Sequence, residues 1–94
     1  MTLAFTPEAF DDFKSLVEFL RARNSAAAER LAGDIFSALD ALDTEGLDGP
    51  ETKLISGERV RSWPVPPVRV YYQRSQTGIL VVRVYHQSRN PITR

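Results

Sequence analysis

Two apolar stripes at helical spacing, separated only by Asn24-Ser25, constrain this chain more than any other feature. Phe10, Phe13, Leu16, Val17 and Leu20 form the first; Ala28, Leu31, Ile35, Leu39 and Leu42 form the second, with Phe36 beside it. Recurrence every three or four residues places each set on one face of a helix. A spacer this short forces the helices back on each other as an antiparallel hairpin. Thr6-Pro7 marks the start: threonine caps, and proline is tolerated in the first turn. Glu8, Asp11 and Asp12 then suit the positive end of the helix dipole, while Arg21 and Arg23 sit at the other end. Ala26, Ala27, Ala28, Ala32 and Ala38 offer small faces for close approach. Both stripes read as core packing.

Beyond the hairpin the chain turns to strand. Gly46, Gly49, Pro50 and Gly57 exclude regular structure from most of 45–58. Residues 59–65, 68–74 and 79–86 then read as three strands, divided by Pro66-Pro67 and by the turn Ser75-Gln76-Thr77-Gly78. Pro64 suits an edge or a bulge. The most continuously apolar run, 79–84, is expected to be the central strand. Residues 2–6 read as a short edge strand. The expected fold is α+β: an N-terminal helical hairpin packed on one face of a small, mostly antiparallel sheet. The expected division is a strand over 1–6, the hairpin over 7–44, a loop over 45–58, a three-stranded antiparallel meander over 59–87 and a tail over 88–94.

The formal charge of zero conceals a split. Residues 1–50 hold ten acids against four bases, a net of −6; residues 51–94 hold eight bases against two acids, a net of +6. A basic sheet beside acidic helices suits an anionic partner surface. Asp11, Asp12 and Glu18 are the expected mates for sheet or tail arginines. The 94 residues fit a single domain. With no cysteine and one histidine, disulfides, thiolate chemistry and a multi-histidine metal site are excluded. No basic-then-apolar leader opens the sequence, and no run approaches the roughly 20 apolar residues of a membrane span, so a cytoplasmic protein is expected.

Strand alternation puts Arg69, Tyr71 and Gln73 on one face of their strand. In the last strand it puts Arg83 and Tyr85 on one face and Leu80, Val82, Val84 and His86 on the other. Solvated counter-ions for the acidic helices account for these arginines as readily as a binding surface does. A lone histidine is more often a hydrogen-bonded structural group than a catalyst. Trp63, Tyr71 and Tyr72 read first as packing.

The hairpin opened by Phe5-Thr6-Pro7-Glu8-Ala9, followed by Val68-Arg69-Val70-Tyr71-Tyr72, Ile79-Leu80-Val81-Val82-Arg83-Val84-Tyr85-His86, Arg89 and Pro91, resembles the RelE/ParE superfamily of toxins from type II toxin–antitoxin systems. The resemblance covers almost the entire chain and implies a cognate antitoxin as partner and no cofactor. Within the superfamily, ParE-like members bind DNA gyrase and need no catalytic group; RelE-like members cleave mRNA on the ribosome. The Arg61-Ser62-Trp63-Pro64-Val65 strand and the Val84-Tyr85-His86-Gln87-Ser88-Arg89 close resemble the ParE branch, which implies Arg61, Arg69, Arg83, His86 and Arg89 as target-binding residues. The RelE alternative implies a catalytic set of Glu51, Lys53, Arg69 and His86, with ribosome and mRNA as partners. Those nucleases end in a tyrosine where this chain has Gln87. A toxin fold retained as an inactive binding module is the second alternative.

Overall fold

The computed structural model describes residues 2–87. In chain order the elements are β1 (Thr2–Phe5), α1 (Pro7–Arg23), α2 (Ser25–Thr44), β2 (Glu51–Lys53), β3 (Arg59–Val65), β4 (Val68–Arg74) and β5 (Gly78–His86). Thr6 caps α1, its Oγ1 accepting from the Ala9 N–H at 3.1 Å, with Pro7 in the first turn. Asn24 serves both helices. Its N–H donates to the Leu20 carbonyl at 2.6 Å, closing α1, and its Oδ1 accepts from the Ala27 N–H at 3.1 Å, opening α2. One residue thus makes the whole turn of the hairpin.

The five strands run β1-β5-β4-β3-β2 across one sheet, antiparallel except for the parallel pair β1–β5. Residues 59–86 form the expected antiparallel strands, but β4 is the middle strand and β5 lies one place off centre. The 45–58 segment carries a short strand, β2, which its glycines concealed; three residues are too few for a periodic signal. Pro64 sits beyond the reach of β2, which pairs only with Arg59, Val60 and Arg61, so its missing N–H breaks no ladder bond.

The helices cover one face of the sheet. Ile35, Leu39, Leu42, Val68, Val70, Tyr72 and Val81 are fully buried there, each apolar side chain stabilising the fold by about 1.5–3 kcal/mol. α2 carries most of this, through Ala28, Leu31, Ile35, Leu39 and Leu42. α1 buries only Ala9; Phe13, Leu16 and Leu20 pack partly, and Phe10, expected in the stripe, is exposed. The α1 stripe is wider than the surface it covers. The opposite face has its own smaller cluster, Leu54, Val60, Tyr71 and Val82, with Leu80 and Tyr85 at its margin. No helix in the described residues is long and apolar enough to cross a membrane.

One irregularity redirects side chains. Opposite the consecutive β4 residues Tyr71 and Tyr72 stand Arg83 and Val81, leaving Val82 as an extra, bulged residue. The bulge breaks the expected grouping of Leu80, Val82 and Val84. Val82 joins the small cluster on the open face, whereas Val81 and Val84 both point into the helix-covered core.

The sheet is tied to the end of α2 by a polar knot. Tyr72 is buried, and its hydroxyl accepts from the Gly49 N–H at 3.0 Å and donates to Asp48 Oδ1 at 3.3 Å. Arg74 binds Asp48 at 3.1 Å and the carbonyls of Leu42 and Leu47 at 2.6 and 2.8 Å. Those carbonyls lie at and just beyond the C-terminal turn of α2, where a cation is favoured. Gly49 must be glycine, since a Cβ there would overlap the Ser62 carbonyl oxygen.

Candidate functional site

β4 and β5 build the site on the face away from the helices. Their register sets Arg69 directly across from Tyr85 and Tyr71 directly across from Arg83, so two arginines alternate with two tyrosines in a square. Tyr71 is buried in the small cluster and anchors the array. Arg69 is half-buried and donates from Nη1 to Ser62 Oγ on β3 at 2.7 Å, which fixes its reach along the sheet.

Arg83 is held more firmly. Its Nε and Nη2 donate to the two carboxylate oxygens of Asp12 at 2.8 and 3.1 Å, and Nη2 also reaches the Tyr85 hydroxyl at 3.1 Å. The guanidinium carbon lies 4.8 Å from the centre of the Tyr85 ring. The hydrogen bond to Asp12 raises the Arg83 pKa further above its ordinary value, against the opposing effect of burial. Asp12 Oδ2 accepts a third bond, from the Val84 N–H at 3.1 Å. This is the acidic-to-basic pairing expected between the two halves, with Asp12 as the partner and a bidentate geometry.

A cleft of about 380 Å³ adjoins the array, lined by Thr6, Glu8, Leu54, Glu58, Val82 and Tyr85 among others. On the other side of β5 a groove of about 600 Å³ runs between the strand and α1, lined by Asp11, Ser15, Leu16, Phe19, Val84 and His86 among others.

The remaining sequence candidates lie elsewhere. His86 stands across from Val68, on the helix side, and lines the α1 groove instead of facing Arg69. Arg61 donates to the Gly49 carbonyl at 2.9 Å beside Asp48, so it braces the loop before β2. Glu51 forms an exposed ion pair with Arg59 at 3.4 Å, and Lys53 ends β2. Glu51 reaches Tyr72 of β4 through Arg61, whereas His86 meets β4 at Val68. They are therefore three strand spacings apart, roughly 14 Å across the sheet, and four residues apart along it, roughly 13 Å. Glu51, Lys53, Arg69 and His86 do not converge. Arg89 lies outside the described residues. Among the described residues no three His, Asp or Glu side chains group as metal ligands would.

Sequence reasoning named Arg69 and Arg83 but left Tyr85, Tyr71 and Asp12 out of the site. Alternation alone assigns Arg69 with Tyr71 and Arg83 with Tyr85; only the register joins the two pairs. A family model described as the ParE toxin of the type II toxin–antitoxin system, parDE, matches residues 3–91. A search of curated proteins returned no match.

Proposed function

The chain belongs to the ParE toxin family of type II toxin–antitoxin systems, and on that premise we propose that it inhibits DNA gyrase as a binding protein and is neutralised by a cognate antitoxin. The observation that carries this reading is the Arg69–Tyr71–Arg83–Tyr85 square. It supplies fixed cations and aromatic area on one sheet face, which suits recognition of a protein or nucleoprotein surface. It offers no proton-transfer pair. The side chains a ribosome-dependent nuclease would need are dispersed over two faces and three strands, and general acid–base catalysis requires groups within hydrogen-bond reach of one reacting centre.

Arg69 is the natural first contact with the target, because its one bond to Ser62 leaves the guanidinium half-exposed with further donors. Arg83 acts from a fixed position beside it. Phe19, exposed on α1, and the groove it lines with Leu16 and Val84 suit an antitoxin segment that folds on binding.

The test is a supercoiling assay with purified protein, run beside an assay for cleavage of ribosome-bound mRNA. Inhibition of gyrase without mRNA cleavage is expected. His86→Gln keeps a hydrogen-bonding side chain but removes proton exchange near neutral pH, and should leave most of the inhibition intact; Arg69→Ala should weaken it. Cleavage of ribosome-bound mRNA with no effect on gyrase would overturn the proposal.

A further inference from the structure

β5 outruns its neighbour. β1 pairs with it only as far as Val81, yet β5 continues to His86, leaving five residues without a strand on that side. A bare strand edge is a row of unsatisfied backbone groups. Here the turn into α1 and its first turns supply the bonds. The Thr6 N–H donates to the Val81 carbonyl at 2.9 Å and Thr6 Oγ1 to the Val82 carbonyl at 2.9 Å. Nearly two turns further on, Asp12 accepts from the Val84 N–H. Thr6, through backbone and side chain, and Asp12 of α1 thus stand in for the next residues of β1.

Asp12 does this while gripping Arg83 with both carboxylate oxygens, and the grip depends on the bulge. Inserting Val82 shifts the alternation, so Arg83 stays opposite Tyr71 on the open face while its guanidinium reaches across the strand edge to α1. The Asp12 and Arg83 side chains are 17% and 29% exposed, so the pair is shielded from salt better than a surface pair. Freed from Asp12, a long arginine side chain would sample many rotamers, and the square of Arg69, Tyr71, Arg83 and Tyr85 would lose one fixed corner.

We infer that Asp12, a residue of α1 remote in sequence from the sheet, is a positioning residue for the target-binding face: it holds Arg83 against Tyr85 and closes the β5 edge at Val84. This rests on the gyrase-binding role proposed for that face. Two roles are combined in one carboxylate, and substitutions separate them. Asp12→Asn keeps an oxygen for the Val84 N–H but loses the charge and one of the two acceptors that clamp Arg83. Asp12→Ala loses both.

The experiment combines amide hydrogen exchange with a double-mutant cycle on the full chain. Asp12→Ala should speed exchange at Val84 by roughly tenfold or more, with Val70 and Tyr72 unchanged. Asp12→Asn should leave Val84 exchange close to wild type. It should nonetheless raise the concentration needed for half-inhibition of gyrase by roughly tenfold, as Arg83→Ala does, and the double variant should be no worse than Arg83→Ala alone. A purely structural cap would leave Asp12→Asn fully active. Wild-type inhibition by Asp12→Asn, effects that multiply in the double variant, or unchanged Val84 exchange in Asp12→Ala would each overturn the inference. Should the wild type not inhibit gyrase, the target reading alone fails; Val84 exchange and the same cycle read on growth arrest after expression still decide the role of Asp12.

Discussion

Tyr72 shows how much a single side chain can hold. Its ring is fully buried among the core residues while its hydroxyl serves Gly49 and Asp48. Burial raises its pKa, with the neighbouring Asp48 charge acting the same way and the Gly49 N–H and Arg74 opposing. The folded protein therefore favours the neutral phenol. Once the pH passes the ordinary tyrosine value of about 10, the unfolded chain loses that proton more readily than the folded one. The stability Tyr72 contributes is complete below that pH and is lost as the pH rises through the raised value. Tyr72→Phe should flatten this alkaline decline in denaturation midpoints measured between pH 8 and 11. At neutral pH it should cost about 1–3 kcal/mol, because the buried Gly49 N–H loses its acceptor. Gly49→Ala is expected to cost at least about 1–3 kcal/mol in a urea titration at neutral pH, since the new methyl meets backbone, not a movable side chain.

At the scale of elements, helices are legible in the sequence because their stripes are long and their ends marked. Asn24 shows there only as a break that starts the second helix; the structure has it terminating the first as well. Asn24→Ala should therefore lower stability by about 1 kcal/mol through the lost α2 cap, with Ser25→Ala nearly neutral. Far-UV circular dichroism during thermal melting measures both. The strands 59–65, 68–74 and 79–86 are legible from turn residues and apolar alternation. β2 is not, being three residues long in a glycine-rich segment, nor is the bulge at Val82, which leaves no mark in a run of valines. The site suffers from the same blind spot. Arg69 and Arg83 stand out as charges in apolar strands, but their meeting with Tyr71 and Tyr85 is a matter of register. Asp12 lies 71 positions from Arg83, so no local pattern reports their contact.

Across the whole molecule, three ion pairs among the described residues stitch the two oppositely charged halves together. Asp12 pairs with Arg83, and Asp48 with Arg74 and, at 4.0 Å, with Arg61. The Glu51–Arg59 pair is exposed and should contribute less than about 1 kcal/mol. Raising ionic strength should accordingly shift the melting temperature little, and Asp12→Asn should shift it more than Glu51→Gln does. Association with an antitoxin should respond differently, because unpaired surface charge remains on both halves. We expect complex formation of nanomolar strength or tighter with the product of a neighbouring small gene, and slower association as salt is added. Co-purification with the tagged chain, followed by stopped-flow mixing, measures both.

The parallel pair β1–β5 also sets an order of events in time. Thr2 is matched with Gly78 and Phe5 with Val81, so β1 waits through the synthesis of about 76 residues for the strand it pairs with. At 5–20 residues per second the interval is on the order of 4–15 s. Until then α1 has no β5 edge to close, and neither Arg83 nor Tyr85 yet exists to join Arg69 and Tyr71. The proposed binding face is therefore incomplete until β5 is made, since the square needs Arg83 and Tyr85 as well as Arg69 and Tyr71. Inhibition through the face proposed above would come late and all at once, which would give an antitoxin the chance to meet the chain as it folds.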